Sequence, residues 1–146
     1  MTVKQIADEW CLWQQIEIAA NAILAEKSVF ALLQGIARIP VHKSSATRRL
    51  GAYVSMGEKP VCIRLQFAQE PDNLKQTFLH EVAHACDHLS RKKGYQSYQR
   101  AHGSSWKIWA KELGISPQCR GESPAVRQLH QQRLKLVAVC QKCGAC

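Results

Sequence analysis

The HEVAH motif at residues 80–84 constrains this chain more than any other part of its sequence. The motif lies in a stretch after Pro71 whose apolar residues recur at helical spacing. This pattern predicts an amphipathic helix that ends near residue 93. Residues four apart lie one above the other on a helix, so His80 and His84 can chelate one metal ion. Glu81 sits beside that face, where its carboxylate can take a proton from water without binding the metal.

A catalytic metal site of this kind needs a third protein ligand and one open position. His88 continues the row, but it lies ~12 Å from His80 along the helix axis, too far to share one ion. We therefore expect His88 to lie near the site without binding the metal, or to face solvent. His102 follows His84 after 17 residues, enough to turn the chain back across the first helix. The other histidines lie in segments with no obvious route to the site, namely His42 and His130.

The first half of the chain predicts helix followed by β structure. Apolar residues at spacings of three and four predict a helical region over residues 6–33, broken once, with Gly35 as its stop signal. Short apolar or alternating runs separated by loop-like segments then predict a three-stranded meander over residues 36–42, 51–56 and 61–67.

The second half predicts helices and a short strand. A helix over residues 104–113 is closed by Gly114, and Ser123-Pro124 is a favourable start for the next helix. The apolar residues 134–139 predict a strand that leads into the cysteine-rich segment 140–146.

HEVAH, a basic spacer and the segment HGSSWKIWAKELG resemble the SprT family of zinc metalloproteases, which includes the Spartan-type proteases of DNA–protein crosslinks. The family pattern is HExxH, a variable spacer, then HG with an aromatic residue three positions on and a glycine that closes the helix. The resemblance covers about residues 30–146, and the matching positions are His80, Glu81, His84, His102, Gly103, Trp106 and Gly114.

This resemblance implies an α+β protein with a zincin-like core, in which a small antiparallel sheet of about three strands packs on the helices that carry the histidines. It implies a catalytic zinc ion held by His80, His84 and His102, with Glu81 as general base. The implied reaction is hydrolysis of peptide bonds in proteins bound or crosslinked to DNA. The metalloprotease domain would span residues 1–133, divided into an N-terminal helical region, 1–34, and a core, 35–133.

Residues 134–146 resemble the first strand and knuckle of the four-ligand zinc ribbon that often follows the family's protease core. A second, structural zinc ion would use Cys140, Cys143 and Cys146, with Cys119 or His130 as the fourth ligand; the alternative is a set of free thiols. The sequence has seven cysteines and starts without an export signal, so reduced thiols are expected rather than disulfides. We accordingly expect a cytoplasmic protein, associated with the nucleoid, or nuclear in a eukaryote, with no membrane partner.

The net charge of +9 lies entirely in the last third of the chain, where residues 91–146 hold eleven basic and two acidic residues. Such asymmetry favours a polyanionic partner, most often nucleic acid, although charge alone does not distinguish DNA from RNA or from an anionic membrane, and a solvated basic face is the simpler alternative. The family resemblance implies DNA as this partner, and we expect it to be single-stranded or damaged. The candidate contacts near the metal helices are Arg91, Lys92, Lys93, Lys107 and Lys111.

Three residues just before His102 are candidates to stabilise the oxyanion of an acyl-transfer reaction, namely Tyr95, Tyr98 and Arg100. Other functions remain open on the residues alone. One is a nucleic-acid-binding module with a structural zinc ion, although such a site has no need of Glu81. The others are a metallohydrolase acting on amides that are not proteins and an inactive relative kept for binding.

Overall fold

The structure, a computed structural model, describes residues 1–91, 102–116 and 121–143, with side chains described as far as residue 135. Over these residues the chain forms six helices and one three-stranded sheet, which makes it an α+β protein as predicted. None of the described helices is both long enough and apolar enough to span a bilayer.

The N-terminal region forms three helices, α1 (Val3–Glu9), α2 (Trp13–Ile23) and α3 (Glu26–Ala37). The prediction of one break is wrong because the chain leaves the helical conformation twice, at Cys11, whose φ is 57°, and at Leu24, which is extended. Gly35 is not a stop signal. The helix α3 continues past it because Ile36 is fully buried and Gly35 lies against Leu89 of a neighbouring helix.

The sheet consists of strands β1 (Val41–Lys43), β2 (Gly51–Met56) and β3 (Lys59–Leu65), in the order β1-β3-β2. β2 and β3 form a hairpin whose turn contains Gly57 at a φ of 60°. The predicted antiparallel meander is wrong, because β1 pairs in parallel with β3 and the sheet is mixed. This pairing sets Val41 beside Ile63, and both side chains are buried.

The helix α4 (Pro71–Ser90) confirms the predicted metal helix, with Pro71 in its first turn. It packs against α3 and α5 and against strands β2 and β3, so it is the central element of the fold. The helix α5 (Ser104–Glu112) also confirms its prediction, and Gly114 follows it with a φ of 74°.

The last helix, α6 (Pro124–Cys143), begins where Ser123-Pro124 predicted and then continues to Cys143. The strand predicted over residues 134–139 is therefore wrong, and with it the first strand of a zinc ribbon. A short apolar run cannot by itself distinguish strand from helix. Here no glycine or proline interrupts residues 125–143, so adding a residue to the existing helix costs less than starting a new strand.

Candidate metal centre

Three imidazoles converge at the junction of α4 and α5. His80 and His84 lie on successive turns of α4, and His102 lies just before α5. The Nε2 atom of His102 is 3.1 Å from Nε2 of His80 and 3.1 Å from Nε2 of His84. The structure therefore brings together the three histidines that the sequence predicted as ligands.

The spacing and chemistry of these nitrogens fit a zinc ion. Zinc binds imidazole at about 2.0–2.1 Å, which separates two ligands of a tetrahedral site by about 3.3 Å. The three ligand atoms lie within 4.8 Å of one another, and among the described residues they form the one group of metal-ligating side chains that meets this limit. His88 is not a member, in agreement with its distance along the helix.

Trp106 forms the floor beneath the three histidines. Its ring centroid lies 4.8 Å from that of His80, 5.2 Å from that of His84 and 4.7 Å from that of His102. The indole is fully buried, and its N–H donates to the backbone oxygen of His80 at 3.5 Å. This packing limits the rotation of the imidazoles, so the ligand set is held in place by the apolar core.

The surroundings keep the histidines neutral, as metal binding requires. Burial, together with the neighbouring His102, lowers the pKa of His80 to about 4. Burial and the adjacent histidines and Arg91 lower the pKa of His84 to about 3. Burial also lowers the pKa of His102.

Glu81 is buried between α4 and the start of β2, with only 6% of its surface exposed. Burial raises the pKa of its carboxyl to about 7, against the opposing effects of a hydrogen bond from the backbone N–H of Tyr53 and the charge of Arg49. Gly51 makes this packing feasible. A Cβ atom at that position would lie 2.7 Å from Thr77 Cγ2 and 3.2 Å from Glu81 Cγ. The strand therefore holds the carboxylate through its backbone.

Tyr53 also binds α4 through its side chain. Its hydroxyl lies 2.8 Å from Nδ1 of His88, and Nε2 of His88 lies 2.9 Å from the backbone oxygen of Gly57. A carbonyl oxygen only accepts, so Nε2 of His88 donates to Gly57, and Nδ1 of the same ring shares a hydrogen bond with the Tyr53 hydroxyl. His88 thus ties α4 to β2 and to the hairpin turn, a role that its position in the sequence did not indicate.

A cavity of about 900 Å³ opens over the histidines and Glu81. Its walls include β2 residues and two arginines of the preceding loop, Arg48 and Arg49. Sequence reasoning missed Tyr53, Arg48 and Arg49 because their segment carries no motif. The alternation of β2 predicts a strand but not which of its residues faces α4.

The predicted basic contacts are only partly described. Arg91 pairs with the buried Asp87 at 3.1 Å, and Lys107 and Lys111 are exposed on α5. Lys92 and Lys93 lie outside the described residues, as do the predicted oxyanion stabilisers Tyr95, Tyr98 and Arg100.

The side chains of the four cysteines predicted to form a second zinc site also lie outside the described part of the structure. Cys119 and Cys146 lie outside the described residues, and Cys140 and Cys143 lie on α6 beyond the last described side chain. His130, the alternative fourth ligand, lies 2.6 Å from the hydroxyl of Thr47 through its Nδ1 atom.

Comparison with known proteins gives one positive result. No curated protein and no solved structure matches this chain. The sequence model of the SprT-like family matches residues 18–128, a range that includes α4, α5 and all three converging histidines. The chain belongs to the SprT-like family.

Proposed function

We propose that this protein is a zinc-dependent endopeptidase with a zincin-like core, in which His80, His84 and His102 hold the metal and Glu81 is the general base. The observation that carries the proposal is the position of Glu81. Its carboxylate is buried next to the converging histidines and is fixed by the Tyr53 N–H, although a purely structural zinc site would need no carboxylate there.

His80, His84 and His102 would hold a zinc ion, which would act as a Lewis acid towards a peptide carbonyl and lower the pKa of a bound water. Glu81 takes the proton of the attacking water and returns it to the leaving nitrogen. Burial raises the pKa of Glu81, whereas the charge of a bound zinc ion would lower it and favour the carboxylate that accepts the proton.

The edge of β2 offers a place for an extended substrate. Within the described sheet, β2 pairs with β3 on one side, while Ala52, Tyr53 and Ser55 line the cavity. A peptide laid along such an edge gains main-chain hydrogen bonds whatever its side chains are. This favours a polypeptide over a small amide as substrate.

We also propose that DNA binds near the site and that its bound or crosslinked proteins are the substrates. The support is the charge of the C-terminal third and the exposure of Lys107 and Lys111, which are four residues apart and share one face of α5. The opposite face of α5 is buried through Trp106, Trp109 and Ala110. The ammonium groups of these exposed lysines are therefore accessible to phosphates.

The deciding experiment compares the zinc-loaded protein with its Glu81→Gln variant on a basic DNA-binding protein, with and without single-stranded DNA. Cleavage by the wild type that falls about 10²–10⁴-fold in the variant, with zinc retained, supports the peptidase. Equal cleavage by both proteins refutes the role of Glu81. No cleavage by either, with zinc and DNA bound, favours a nucleic-acid-binding module with a structural zinc ion.

The DNA half of the proposal has its own test. A Lys107→Ala/Lys111→Ala variant should bind single-stranded DNA more weakly and with a shallower dependence on salt. The variant would make fewer phosphate contacts, so its binding would release fewer counterions from the DNA. An unchanged affinity and salt slope would remove these lysines from the DNA interface.

A further inference from the structure

We infer that Arg48 and Arg49 form a carboxylate-binding subsite beside the metal centre and select substrates with acidic side chains close to the scissile bond. The inference rests on the proposed peptidase function and adds to it the chemical class of the preferred substrate. It starts from the loop that connects β1 to β2, residues 44–50, termed here the arginine loop.

The arginine loop is bound to the rest of the protein at nearly every residue except the two arginines. The backbone N–H of Ser44 donates to the backbone oxygen of Leu65, and the side chain of Arg133 donates to the backbone oxygen of Ser45. The hydroxyl of Thr47 lies 2.6 Å from Nδ1 of His130. Contacts from two elements thus hold the first part of the loop.

Two buried glutamines hold the remainder. Gln66 Nε2 donates to the oxygen of Ala46 at 2.6 Å, and Gln69 Nε2 donates to the oxygen of Leu50 at 3.0 Å. Gln66 and Gln69 are only 5% and 4% exposed. Burying an amide costs free energy unless its hydrogen bonds are made. These two side chains make theirs to the backbone of the arginine loop, so they hold the loop in place.

The arginine side chains, by contrast, are exposed and available. Among the described residues neither Arg48 nor Arg49 has an ion pair, and both line the cavity that contains the histidines and Glu81. Because the loop is already ordered, an acidic ligand would have to immobilise only the two side chains. Arginine presents a planar fork of donors that matches a carboxylate in two-point contact.

The charge balance of the cavity favours an anionic ligand at this place. Of the other described acids on the cavity wall, the buried Asp87 pairs with Arg91 at 3.1 Å, and the exposed Glu122 lies 3.8 Å from Arg127. Glu81 feels the charge of Arg49 but is held by the Tyr53 N–H. The arginine loop therefore brings positive charge to the cavity, and no acidic side chain in the described part of the chain forms an ion pair with it.

The position of the loop indicates a peptide rather than a nucleic acid. Leu50 leads directly into Gly51, the first residue of β2, so the arginines lie at the end of the edge along which a substrate would extend. A peptide in this groove carries a side chain past them every ~3.3 Å. A peptide substrate would bring an acidic side chain into the cavity as part of the proposed reaction. A phosphate would have to come from a second molecule bound in the same cavity.

The test has a cleavage part and a binding part, both on the full zinc-loaded chain. Cleavage sites in a peptide library are mapped for the wild type, for Arg48→Gln/Arg49→Gln and for Arg38→Gln, which removes an exposed arginine that does not line the cavity. The quantity compared is the preference for Asp over Asn next to the cleaved bond. This ratio cancels any effect of Arg49 on Glu81, because both substrates meet the same base.

We expect the wild type and Arg38→Gln to prefer Asp by about fivefold to tenfold, as for an exposed charge-assisted contact, and the double variant to lose the preference. An Arg48→Glu variant should move the preference towards Lys and Arg. Cleavage with no acidic preference, or a preference that survives in the double variant, overturns the inference while leaving the peptidase intact.

The binding part separates failure of the inference from failure of the proposed function. Short fluorescein-labelled alanine-glycine peptides with two aspartates or two asparagines are titrated against Glu81→Gln protein, with and without the arginine substitutions. Tighter binding of the aspartate peptide that depends on the arginines supports the subsite even if the wild type cleaves nothing. Equal binding of both peptides, with loss of single-stranded DNA binding in the arginine variant, identifies a phosphate contact and overturns it.

Discussion

A methyl group added at Gly51 should disturb the contact between β2 and the metal helix. The Cβ atom of an alanine there would lie 2.7 Å from Cγ2 of Thr77, well inside van der Waals contact, and 3.2 Å from the backbone oxygen of Arg64. Thr77 cannot easily rotate away, because its hydroxyl donates to Gln69 at 2.8 Å and β-branched side chains have few rotamers. The strand and the helix must therefore separate.

The expected loss of stability follows from two opposing contributions. Overpacking by one methyl group costs about 1–3 kcal/mol, and replacing glycine by alanine returns about 0.4–1 kcal/mol by restricting the unfolded chain. We expect Gly51→Ala to lower the free energy of unfolding by about 1–2 kcal/mol. Displacement of Tyr53 would also move its N–H from Glu81, so peptidase activity should fall by more than this change in stability explains.

A double-mutant cycle in urea provides the measurement and the matched control. Thr77→Ser removes Cγ2 but keeps the hydroxyl that binds Gln69, at a cost of less than about 0.8 kcal/mol. In the Gly51→Ala/Thr77→Ser protein the shortest contact is gone, so most of the loss should be recovered, with a coupling of about 1 kcal/mol or more. Strictly additive effects, or a Gly51→Ala protein as stable as the wild type, would refute this account of the close approach.

Further predictions concern contacts at the ends of α4 and the metal. The carboxylate of Glu70 accepts hydrogen bonds from the backbone N–H of the second residue of α6 and from the Ser123 hydroxyl, which lower its pKa. This stabilisation is present above the ordinary pKa and is lost as pH falls through the lowered one, so Glu70→Gln should flatten the acid side of the stability–pH profile measured in urea. Tyr53→Phe removes the hydrogen bond to His88 and should cost about 1 kcal/mol in thermal unfolding, with His88→Ala adding less in that background than alone. A chelator should lower the melting temperature of the wild type and leave that of His84→Ala unchanged, because metal binding stabilises only a protein with the full ligand set.

Local features were predictable where the physical cause is local. The start of α4 at Pro71 and the glycine after α5 follow from backbone constraints of single residues. The neighbouring positions of His80 and His84 follow from the helical repeat alone. Even the choice of His102 over His88 needed only a distance along a helix and the length of a connection.

The errors occurred where remote contacts or competing local structures decide. Nothing in residues 41–43 indicates that they pair in parallel with β3. The direction of pairing depends on which strand edge is available in the folded protein, and not on the strand's own residues. The C-terminal apolar run suits a strand or a helix equally, and the uninterrupted continuation of α6 decided for helix.

The sequence by itself thus determined which side chains can bind a metal and that two of them share one face of a helix, because those properties depend on residue type and helical spacing. Only the tertiary structure decided what surrounds them. Tyr53, Gly51 and the arginine loop reach the site through the sheet, where register and order place residues that are far from the motif in sequence. Burial then shifts the pKa of Glu81, and burial depends on the packing of the whole domain and not on the residue itself.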